Sequence, residues 1–60
     1  MPMTVQEFIL LEFTHLINNP CEEQYQYMLG ILRMARFLGK ITDDEYINYR
    51  DEAFQIAATR

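Results

Sequence analysis

Two segments of this chain, Thr4-Val5-Gln6-Glu7 and Thr42-Asp43-Asp44-Glu45, have the spacing of a capping box, and that constrains the fold more than any other feature. In such a box a threonine hydroxyl accepts from the third helical N–H. The carboxylate three residues on accepts in return from the threonine's own N–H, so two orphan donors of a helix start are satisfied together. A third start is written differently, as Asn19-Pro20-Cys21-Glu22. There Asn19 is expected to cap, with Pro20 at the first helical position, where its missing N–H costs nothing and its fixed φ is already helical. Three starts in 60 residues predict a single all-α domain of three short helices, over about residues 5–17, 20–38 and 43–59.

The stops agree with the starts. Asn18-Asn19-Pro20 ends the first helix, since asparagine favours caps and the residue before proline avoids the α region. Gly39 follows the last apolar residue of the second helix and suits the left-handed position after a helix end. Ile41 and Tyr46 then bracket Thr42 with the spacing of a hydrophobic staple. The connection between the second and third helices is thus short, which predicts an antiparallel hairpin with the first helix packed on it.

Periodicity near 100° per residue assigns a core face to each helix. For the first it predicts Val5, Ile9, Leu10, Phe13, Leu16 and Ile17, and for the second Cys21, Met28, Ile31, Leu32, Met34, Ala35 and Leu38. The third presents Tyr46, Ile47, Tyr49, Ala53, Phe54, Ile56 and Ala57. Phe8 and Leu11 fall off the first stripe, beside Glu12 and His15, and are surplus to a simple amphipathic helix. Gly30 falls on the polar side of the second helix, where it costs about 1 kcal/mol relative to alanine unless a neighbouring backbone packs close against it.

Half the residues are hydrophobic, including four Phe, four Tyr and four Met. A chain this short buries only about 60% of the surface its unfolded form exposes. The surplus predicts an exposed apolar patch, and hence a homodimer or larger homo-oligomer together with a protein partner whose identity the sequence does not carry. The final expectation is that Phe8 and Leu11 are recruited to that interface.

A net charge of −4 supplies no footprint for a phosphate backbone, so direct nucleic-acid binding is not expected. The same charge disfavours reading the hairpin as a helix-turn-helix regulator, because its recognition helix would start with three acids. One cysteine makes no intramolecular disulfide, which fits a reducing cytoplasm. The N-terminal stretch has no basic region ahead of an uninterrupted apolar run, and neither a signal peptide nor a membrane span is expected.

Few residues are left for chemistry. His15 is the single imidazole and has no nucleophile or second ligand at a recognisable spacing, so it is expected in a contact patch and not in catalysis. Cys21 is expected as a quiet, small hydrophobe. Asp43, Asp44 and Glu45 point in different directions around a helix and lack the alternating ligand loop of a calcium site. Tyr46, Tyr49 and Arg50 are candidate interface residues, since Tyr and Arg are enriched at binding hot spots, although the Arg50 stem can equally lie along apolar surface with its head in water. No catalytic residue, cofactor or metal is expected. The expected function is a small non-enzymatic protein–protein interaction module, a bacterial, plasmid or phage accessory or regulatory protein, with Phe8, Leu11, His15, Tyr46, Tyr49 and Arg50 at its interface. The alternative is an acidic decoy that fills a nucleic-acid site on a partner protein.

Overall fold

The computed structural model describes residues 2–59. They form α1 (Val5–Asn18), α2 (Glu22–Phe37) and α3 (Asp43–Ala58), with no strand among them. The most extensive contact is between α2 and α3, and α1 packs on both, more against α2.

Both capping boxes are formed. The Thr4 hydroxyl accepts from the Glu7 N–H at 3.1 Å, and the Thr4 N–H donates to Glu7 Oε1 at 3.1 Å. These bonds to Thr4 hold the Glu7 carboxyl below its usual value. At α3 the Thr42 hydroxyl accepts from the Glu45 N–H at 3.1 Å, and the Thr42 N–H donates to Glu45 Oε1 at 2.8 Å. Thr42→Ala removes one side of that box and is expected to cost about 1 kcal/mol. In a domain this small that lowers the melting midpoint by about 4–8 °C, and thermal melts followed by circular dichroism will check it.

The start of α2 differs from its expectation. Helix begins at Glu22, not at Pro20, and the capping position is Cys21, whose side chain makes no capping hydrogen bond. Asn19 is already committed elsewhere: it caps the end of α1, where its N–H donates to the His15 carbonyl at 2.9 Å. Its own carbonyl accepts from the Cys21 N–H at 2.8 Å, a tight turn across Pro20 of the kind proline's fixed φ favours. With helix starting at Glu22, Asn19 lies two residues ahead of the capping position. Cys21 is accordingly half-buried at a helix start and not part of an interior arc. Glu22 and Glu23 then occupy the first turn, where the helix dipole favours negative charge.

At the other end of α2, Gly39 has φ +74°. Its N–H reaches the Arg36 carbonyl at 3.0 Å, and the Lys40 N–H reaches the Ala35 carbonyl at 2.8 Å. That pair of bonds is a Schellman motif, and it turns the chain directly into α3. Two side-chain contacts lock the hairpin. Arg36 Nε meets Asp43 Oδ1 at 2.7 Å, and the Arg36 guanidinium also lies 5.2 Å from the Tyr46 ring centroid. The Gln6 amide donates to the Lys40 carbonyl at 3.2 Å and so ties the first turn of α1 to the α2–α3 connection.

The core consists of Ile9, Phe13 and Leu16 from α1, Met28, Leu32 and Ala35 from α2, Ile41 from the turn and Ala53 from α3. Val5, Tyr25, Ile31, Tyr46, Tyr49 and Ile56 close its edges. The inward stripes are narrower than the apolar arcs. Leu10 is 58% and Ile17 60% exposed, and Met34, Leu38, Ile47 and Phe54 also lie at the surface. Helices of 14 to 16 residues, each meeting two neighbours, have too little facing surface to cover arcs this wide. Glu12 is inside instead. Its Oε1 accepts from the Gln24 amide at 3.0 Å and its Oε2 lies 3.6 Å from His15 Nδ1, so the buried carboxylate is satisfied.

Candidate functional site

The candidate site grows out of that mismatch between apolar arcs and available core. On α1, Phe8 and Leu11 are one turn apart, Phe8 on the side that meets α2, and both are more than a third exposed. Opposite Phe8, the outer side of α2 presents Ile31, Met34 and Leu38. Between the two helices lies a groove of about 380 Å³ whose walls include Met3, Val5 and Phe8 on one side and those three α2 residues on the other. Lys40 stands at its end, and the walls are otherwise almost wholly apolar. Tyr27 extends the same exposed flank of α2 by one further turn.

His15 continues the Phe8 and Leu11 flank of α1 toward the α1–α2 turn. Its imidazole covers the Glu12 carboxylate, half of it remaining accessible. The hydrogen bond and ion pair of the Glu12, Gln24 and His15 cluster involve no serine or cysteine, and its geometry accounts for a buried acid and not for a nucleophile. Among the described residues no group of three or more His, Cys, Asp or Glu side chains is placed to hold a metal ion. No helix among them is long and apolar enough to cross a membrane.

The candidate residues of α3 form a separate group. Tyr46 and Tyr49 are half-buried against the core, with the Tyr49 ring centroid 5.7 Å from that of Phe13. Arg50 lays its guanidinium 5.7 Å from the Tyr46 ring centroid and within 3.8 Å of Asp51 Oδ1. Its stem thus runs along an aromatic surface while its head stays at the solvent edge, which is the covering role of a long cationic side chain. Beside it Ile47 and Phe54 stand out from the same flank of α3. Sequence reasoning had placed both in the core. The exposed set also includes Phe37, at 83% the most exposed large apolar side chain among the described residues. Its place one turn beyond Met34 on the helical wheel was the signal that could have found it.

The chain matches no protein-family model, no curated protein and no solved structure. What it does must therefore be argued from its own surface.

Proposed function

We propose that this protein is a small, non-enzymatic interaction module of accessory or regulatory type, which works in the cytoplasm by self-association and by binding another protein. The observation that carries this reading is the continuity of the exposed apolar surface at the α1–α2 groove. Phe8, Met34 and Leu38 line one preformed cleft, and Leu11 and Tyr27 lie one turn from Phe8 and Ile31 on their own helices; each of the five is more than a third exposed. Isolated surface hydrophobes are ordinary, whereas a contiguous patch marks a place where another polypeptide sits.

The acidic side chains support a decoy less well. Glu7 and Glu45 are turned back into their capping boxes, Asp43 is paired with Arg36, and Glu12 is buried. A nucleic-acid mimic needs its carboxylates free along one continuous face.

Affinity capture from the source cell tests the proposal. The tagged wild-type chain is expected to retain a discrete protein partner that a Phe8→Glu, Leu11→Glu variant of unchanged helicity does not. Equal retention by both would remove the groove from the interaction.

A further inference from the structure

α2 carries two apolar seams, and its own fold uses one of them. Met28, Leu32 and Ala35 are turned inward. On the outer side Tyr27, Gly30, Met34 and Phe37 recur at spacings of three and four residues, the repeat of a helix that packs along another helix. Every member of this outer seam is exposed, and Leu38 lies beside it.

Gly30 stands near the midpoint of α2, which runs from Glu22 to Phe37. A glycine in an exposed helix interior is destabilising relative to alanine. Nothing inside the chain requires it, because a Cβ built at Gly30 meets no atom within 4 Å. Its backbone φ is an ordinary helical one, so the conformation does not require it either. What a missing side chain does allow is a close approach by the backbone of a second helix from outside.

The charges along α2 select the direction of that helix. Glu23 lies in its first turn, Arg33 lies near its end and Lys40 just beyond, and none of the three forms a salt bridge among the described residues. A parallel neighbour of the same sequence would set like charges side by side. An antiparallel one about Gly30 sets Glu23 of each copy against Phe37 of the other, which removes the like-charge contact, and opposes the helix dipoles favourably. It also brings Tyr27 of each copy within one position of Met34 of the other, twice about an axis at Gly30, which is the self-complementary contact of a two-fold dimer.

The apolar area comes close to what such a dimer needs. Tyr27, Met34, Phe37 and Leu38, flanked from α1 by Phe8 and Leu11, expose on the order of 600 Å² per copy, given the 150–250 Å² of an aromatic side chain. A stable interface takes about 800 Å² per partner with its polar rim included.

We infer that a second copy of this chain occupies the outer face of α2, antiparallel, with the two-fold axis at Gly30. This rests on the reading of the α1–α2 surface as a docking face and adds its occupant and orientation. Sedimentation equilibrium and oxidative cross-linking test it together. Wild type is expected to sediment at twice its 7.2 kDa chain mass. Gly30→Leu has open space in the monomer and should keep its helicity, yet weaken association at least tenfold. On a Cys21→Ser background, Gly30→Cys should oxidise to a covalent dimer, while Phe54→Cys on the same background should not. A wild-type monomer at high concentration, association undiminished by Gly30→Leu, or cross-linking at position 54 in place of 30 would each overturn the two-fold pairing. The docking face itself is judged separately: partner capture that is lost in Phe8→Glu, Leu11→Glu leaves it standing even if the free chain is a monomer.

Discussion

A Phe8→Glu, Leu11→Glu double variant is expected to sediment as a folded monomer of 7.2 kDa where wild type associates, and to be cleaved faster by a non-specific protease. Both side chains are more than a third exposed in the single chain, so their replacement leaves Ile9, Phe13 and Leu16 in place. The interface loses far more than the core does. Burying an apolar side chain is worth about 1.5–3 kcal/mol when complete, and a carboxylate placed in the same contact has to be desolvated without a partner. Even a combined effect of about 3 kcal/mol weakens association roughly a hundredfold, at about 1.4 kcal/mol per tenfold. In the proposed two-fold dimer the lesion is doubled, since each variant chain would bring both glutamates. Sedimentation equilibrium across a concentration series checks the mass, and an unchanged dimer would place the interface elsewhere.

Leu32→Ala is expected to unfold most of the protein at room temperature. Leu32 is fully buried at the centre of α2, together with Ile9, Leu16 and Met28. Removing three carbons, a methine and two methyls, from such a site costs about 2–5 kcal/mol, part of it for the cavity left behind. A single core of this size supplies only about 3–5 kcal/mol in total. Loss of the helical circular dichroism signal should therefore be nearly complete. Leu10→Ala makes the same chemical change at an exposed position and is the natural control, expected within about 0.5 kcal/mol of wild type.

The contrast between Leu10 and Leu32 also shows what a sequence can and cannot disclose about this fold. Helix starts at Thr4 and Thr42 were legible because a capping box is a hydrogen-bond arrangement closed within four residues, independent of what the rest of the chain does. Gly39 was legible for a similar reason: the left-handed conformation is a local demand. Asn19 does not cap α2 because the turn across Pro20 delays the helix to Glu22, which moves the capping position to Cys21. The inward faces were legible only in part. Apolarity marks what gains from burial, but the neighbours decide what is buried. Glu12 is inside because Gln24, twelve residues away, meets it, and periodicity carries no sign of that pairing. At the candidate site Phe8 and Leu11 stand out as surplus, whereas Met34 and Leu38 do not, since periodicity credits them to a core too small to hold them.

The bond from the Gln6 amide to the Lys40 carbonyl bears on how the groove receives whatever settles there. It fastens the start of α1 to the turn that also carries the Schellman motif and the Thr42 box, so three helix ends are pinned at one pole of the bundle. The groove between Phe8 and Met34 opens at that same pole. A partner arriving there meets helices whose backbone is already fixed, so that only exposed side chains such as Met3, Met34 and Leu38 remain to be ordered on binding.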